Sequence, residues 1–111
     1  MNEIITTYND YLNKIPRGVL YIAAQLREDN ITGALNSIKD FSEGITWLIE
    51  ASKLINNNQG SALLEVEKIK EYLSEINSGL EKHDFVLVAD LFEYEIAPFF
   101  EEVEEAGSVQ Q

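Results

Sequence analysis

The sequence predicts an all-α protein, an antiparallel four-helix bundle built from two similar helix hairpins, and three observations predict it. Apolar residues recur in alternating three- and four-residue steps over four long segments, the pattern that gathers them on one face of a helix. Turn-forming clusters at Asp29-Asn30, Asn56 to Gly60 and His83-Asp84 separate those segments. A shift of 54 residues also lays the first half of the chain on the second, Tyr8 falling on Ala62 and Ile31 on Phe85.

The first helix is expected over 3–28, with Tyr8, Leu12, Ile15, Val19, Ile22 and Leu26 as its stripe. Pro16 removes a backbone donor and crowds the carbonyl four residues back, so a kink is expected near 13–16. The stripe keeps its phase across the proline, which argues against a break. Asp29 and Asn30 then supply a stop and the N-cap of the next helix.

A second helix is expected over 31–56, carried by Ile31, Ala34, Leu35, Ile38, Ile45, Leu48, Ile49 and Ile55, with Phe41 and Trp47 widening its apolar face. Gly33 and Gly44 each weaken it by about 1 kcal/mol relative to Ala unless close packing offsets the loss. After the turn at 56–60, Ser61 reads as the N-cap of a third helix over 61–82. Its seam is Ala62, Val66, Ile69, Leu73, Ile76 and Leu80, and its opposite face is charged.

The fourth helix is expected over 84–105, capped by Asp84, whose charge suits the positive end of the helix dipole. This stretch is the most apolar and the most acidic in the chain: it carries no Lys or Arg, yet Phe85, Val88, Ala89, Phe92, Ile96, Phe99, Phe100 and Val103 fall at helical spacing. Pro98 predicts a kink, because the stripe continues beyond it. Glu101, Glu102, Glu104 and Glu105 oppose the dipole at the C-terminal end, so the end should fray. Residues 1–105 are therefore read as one domain and 106–111 as a flexible tail.

Under the 54-residue shift the caps Asn30 and Asp84 coincide, and Gly44 falls on Pro98. Ser42 opposite Ile96 and Leu48 opposite Glu102 are the polar mismatches.

Composition narrows the function. The chain has 111 residues, enough for one core, and 45% of them are hydrophobic. With no cysteine, disulfides, thiolate nucleophiles and zinc-thiolate sites are excluded. Twenty acids against eight bases give a formal charge of −12, which disfavours nucleic acid and anionic membrane surfaces as partners. No apolar run approaches the ~20 residues of a membrane span, and no signal peptide is visible. The expectation is a soluble, cytoplasmic protein without a cofactor.

Catalytic sets are sparse. His83 is the sole histidine and lies between helices, where capping or solvation explains it. A carboxylate-bridged di-metal bundle requires Glu followed three residues later by His on two helices, a pattern missing here. Consecutive glutamates at 101–105 splay outward and lack a chelating loop. Asp90 and Glu93 interrupt an apolar helix, so they must reach solvent, pair with a base such as Arg17, Arg27 or Lys39, or face a partner. Trp47, Leu54, Leu91 and Tyr94 lie partly off the seams, which fits either a wide core or a groove for another helix.

The segments EGITWLIEA (43–51) and HDFVLVADLFEYEIAPFFEEV (83–103) resemble those of small uncharacterised helical proteins of Firmicutes, in which a sequence like ADLLEYE, a short gap and Pro closes the chain. Here the motif reads Ala89 to Glu95, then Ile96, Ala97 and Pro98. The resemblance implies a bacterial helical protein with no established activity and adds no site.

The reading that follows is a non-catalytic bundle that binds another protein through Trp47, Leu54, Asp90, Leu91, Glu93, Tyr94, Glu101 and Glu102. Its alternatives are an export chaperone of the flagellar or type III kind, alike in size and acidity only, and a small-molecule or metal-binding bundle with Asp90, Glu93 and Tyr94 turned inward. A homodimer through a remaining apolar face is a further reading.

Overall fold

A computed structural model describes residues 2–108. Helix α1 (Asn2–Arg27) runs without interruption through Pro16. Its expected stripe is buried throughout, joined by Ala23 and Gln25. Helix α2 (Ile31–Asn57) returns antiparallel to it, burying Ala34, Ile38, Phe41, Ile45, Leu48, Ala51 and Ile55. A two-residue strand β1 (Gly60–Ser61) and an extended linker lead to α3 (Val66–Glu81). The last rod is composite: α4 (Phe85–Leu91), a π-helical turn (Phe92–Ile96) and α5 (Ala97–Glu101), followed by strand β2 (Gly107–Ser108).

These rods form an elongated all-α bundle of 50 × 21 × 20 Å. Helix α1 packs against both α2 and the α4–α5 rod, and α3 lies against α4. Edge-to-face ring pairs cross the core: Phe41 of α2 meets Phe92 at 5.5 Å, and Tyr72 of α3 meets Phe99 at 5.5 Å. Such contacts add to the area buried by each ring.

Both hairpins turn in the same way. Residues Asp29 and His83 take positive φ, 65° and 55°. Asn30 N–H donates to the Gln25 carbonyl and Asp29 N–H to Leu26; Asp84 N–H donates to Gly79 and His83 N–H to Leu80. Each set is a Schellman motif, whose crossed bonds satisfy the last carbonyls of the incoming helix. The final residue of each turn then caps the outgoing helix. The Asn30 side chain accepts from Gly33 N–H at 3.2 Å, and that of Asp84 accepts from Leu87 N–H at 3.1 Å. All of these positions coincide under the 54-residue shift.

The π turn explains where the shift loses phase. Pro98 cannot donate to the Tyr94 carbonyl and would collide with it in a regular helix. The backbone widens instead, and Ala97 N–H reaches back to Phe92. The turn takes up one extra residue, so beyond it the hairpins match at a shift of 55. Ile45 then falls on Phe100 and Ala51 on Ala106, all four buried, while Phe41 falls on Ile96. The expected pairing of Gly44 with Pro98 is thereby replaced by Gly44 with Phe99, and both polar mismatches disappear.

Two expectations at the opposite end of the bundle require correction. Helix α3 begins at Val66, not near Ser61, and Ser61 is a strand residue instead of a cap. The Asn56 side chain holds the linker by donating to the Ala62 carbonyl at 3.1 Å and accepting from Ala62 N–H at 2.8 Å. Ala62 is buried as the seam required, but on an extended backbone. The C-terminal segment is held likewise. Asn9 donates to the Ala106 carbonyl at 3.0 Å and accepts from Ala106 N–H at 2.7 Å. Gly107 and Ser108 then pair antiparallel with Ser61 and Gly60. The first three residues of the expected tail are thus tied to the bundle, and 109–111 lie outside the described residues. Helix α5 stops at Glu101, four residues before the expected end of the fourth helix.

Candidate functional site

The residues singled out in the sequence occupy three separate places on the surface, apart from Leu91, which is in the core. Asp90 and Glu93 face α1, where Arg27 clamps both. One Arg27 Nη2 donates to Asp90 Oδ1 at 2.8 Å and to Glu93 Oε1 at 2.8 Å, and Nε donates to the same Glu93 oxygen at 3.1 Å. The Tyr94 ring lies 5.9 Å from the guanidinium carbon, within range of a cation–π contact. Hydrogen bonds to Asp90 and then Glu93 raise the Arg27 pKa. Of the three bases considered, Arg27 is the one that resolves the two carboxylates in the apolar helix. Neither they nor Tyr94, which is 65% exposed, turn into the core.

Trp47 and Leu54 lie on α2, farther from the Schellman turns. Trp47 meets the Tyr11 ring edge-to-face at 6.3 Å and so covers α1, while Leu54 is open to solvent. Leu91 is 5% exposed and belongs to the core, so it presents nothing to a partner. Hence the expected surface of α2 and the fourth helix is not one continuous patch.

Glu101 and Glu102 are exposed at the end of α5, and Glu102 leads to the feature that sequence reasoning missed. A depression of about 550 Å³ opens between the β1–α3 linker and the end of α5. Leu63, Leu64, Phe99 and Val103 supply its apolar lining, and Glu65, Glu102 and Glu104 its acidic groups. Leu63 is 67% exposed although it is part of this lining. The linker creates the space: residues that would otherwise form the first turns of α3 run extended, clamped by Asn56 and the small ladder. One signal was present in the sequence, since Leu63 and Leu64 both stand off the seam of the helix expected there.

Among the described residues, those lining the site are acids and apolar groups, with no nucleophile paired to a base. Among the described residues no group of three or more His, Cys, Asp or Glu is arranged to hold a metal ion, and no helix is long and apolar enough to cross a membrane.

A small helical bundle with a depression lined by apolar and acidic groups defines the class. Residues 3–106 match a family model described as a domain of unknown function (DUF8042), and the chain belongs to that family. No curated protein matches the chain. No solved structure matches it either.

Proposed function

We propose that this protein is a non-catalytic protein-interaction module whose binding surface is the depression between the β1–α3 linker and α5. The observation that carries the reading is the open apolar lining of Leu63, Leu64, Phe99 and Val103 on a chain of formal charge −12. Exposed apolar surface bordered by polar groups is the usual composition of a binding patch. Glu102 is the member of the sequence-derived set that this surface retains. The Arg27 cluster is satisfied internally and serves the fold.

A photo-crosslinking amino acid placed at Leu63 tests the reading in cells, with exposed Thr32 beside the opposite end of the bundle as control. A discrete protein adduct at position 63 and none at 32 is the expected result. The same adducts at both positions, or none at 63, would overturn it.

A further inference from the structure

The internal symmetry specifies what the depression lacks. In the first hairpin, α1 begins at Asn2, ten residues before Leu12; in the second, α3 begins at Val66, the counterpart of Leu12. The helical turns that carry Tyr8 and Tyr11 therefore have no helical counterpart. Their equivalents, Ala62 and Glu65, lie on the extended linker. In the first hairpin the Tyr11 phenol fills the notch above Gly44 and meets Trp47. The counterparts of Gly44, Trp47 and Leu48 at the 55-residue shift are Phe99, Glu102 and Val103, and all three line the depression. The extended linker follows the course that the first turns of α1 take in the other half of the molecule, and the depression is the space it leaves open against the end of α5.

We propose that a short amphipathic helix from a partner protein, apolar on one face and rich in Lys or Arg beside it, docks here in place of those missing turns; this rests on the interaction-module reading. The repeat suggests the helical form, because the flank of α2 equivalent to this one is covered by the helical turns of α1 that carry Tyr8 and Tyr11, whereas here an extended linker leaves Leu63 exposed. Charge supplies the sign: Glu65, Glu102 and Glu104 border the lining, and the end of α5 adds Glu101. A desolvated apolar contact ringed by complementary charge favours basic partners and repels acidic ones. A second copy of this chain is a poor occupant, since its own first helical turns carry Glu3 and Asp10 on a body of charge −12.

The test titrates the isotope-labelled full chain with a synthetic Leu/Ala/Lys amphipathic helix and with a matched peptide bearing Glu for Lys. Amide resonances of Leu63, Phe99 and Val103 should move with the Lys peptide and not with the Glu peptide. Combined Glu102→Lys and Glu104→Lys should weaken binding by about tenfold or more. Glu28→Lys with Glu50→Lys changes net charge equally at other exposed positions and should weaken it by less than about threefold. Equal losses from the two pairs would reduce the effect to bulk charge and overturn the proposal. Equal binding of both peptides, or the same resonances moving with protein concentration alone, would also overturn it, the last by making a second copy the occupant. If the Lys peptide moves nothing while position 63 still crosslinks to a protein, the partner chemistry is wrong and the module stands; if both fail, both readings fail.

Discussion

Asp29 and His83 occupy the same left-handed position in two Schellman turns, at φ 65° and 55°, and each hands the chain to a side-chain cap one residue later. An L-residue with a Cβ is held there at a cost of about 1 kcal/mol, which glycine avoids. Asp29→Gly and His83→Gly are each expected to stabilise the protein by up to about 0.5 kcal/mol, after allowing for the greater freedom of glycine in the unfolded chain. Thermal melts should rise by a few degrees at each site and additively in the double variant, the two turns being independent.

Asn9 and Asn56 do the same work at the other end. Each side-chain amide pairs with both backbone groups of a single alanine, Ala106 and Ala62, the two residues just beyond the end of the short ladder. Truncation leaves a part-buried donor and acceptor without these bonds. Asn9→Ala and Asn56→Ala should each cost about 1–3 kcal/mol in urea unfolding. Hydrogen exchange distinguishes them further: Asn9→Ala should release the Ala106 amide, and Asn56→Ala the Ala62 amide.

The helices and their caps were legible because burial imposes a period that the residues display, and because Asn30 and Asp84 are short acceptors at the right offset from an apolar run. The start of α3 was not legible. Ala62 sits on the helical seam and is buried, yet an extended linker buries it; periodicity reports which side chains face the core and is silent on the backbone that carries them. The π turn appeared in the sequence only as two polar mismatches, since one inserted residue displaces the pattern without erasing it. Arg27 was among the bases anticipated for Asp90 and Glu93, but the choice depended on the length of α1. The depression escaped notice because Phe99 and Val103 read as core; they do pack against it, but the extended course of residues 62–65 leaves them only partly covered.

Tyr8 is fully buried, and among the described residues its hydroxyl has no hydrogen-bond partner. Burial raises its pKa from 10.0 to about 12, because the phenolate is the form the core disfavours. A raised folded-state pKa means that the contribution is complete below the unfolded value of 10.0 and is lost as pH rises toward about 12. Stability measured by urea unfolding should fall over that alkaline window. Tyr8→Phe should flatten the fall and be close to neutral at pH 7, since it removes a hydroxyl that bonds to nothing. Burial raises the pKa of Tyr11 and of Tyr72 in the same direction, so part of the slope should survive.

Among the described residues Arg27 is the one base paired with both Asp90 and Glu93. Arg27→Met keeps an apolar stem and leaves two carboxylates side by side, so it should lower the unfolding midpoint at low salt. The groups are more than a third exposed, so the loss should shrink toward zero at about 1 M salt, where screening acts within roughly 3 Å. A loss independent of salt would assign the role of Arg27 to packing on Tyr94 instead.

Gly18 and Gly44 are both helical glycines, and their surroundings predict opposite behaviour. A Cβ at Gly18 meets nothing within 4 Å, so Gly18→Ala should gain the helix-propensity difference of about 1 kcal/mol. A Cβ at Gly44 would overlap the phenol of Tyr11, and moving that ring aside disturbs its edge-to-face contact with Trp47. Gly44→Ala should therefore forfeit the propensity gain and destabilise the protein by about 1 kcal/mol or more. The decisive measurement is the same substitution in a Tyr11→Ala background, where the notch is empty. There Gly44→Ala should become stabilising, and the change of sign measures the coupling between a glycine on one helix and the tyrosine seated over it from the other.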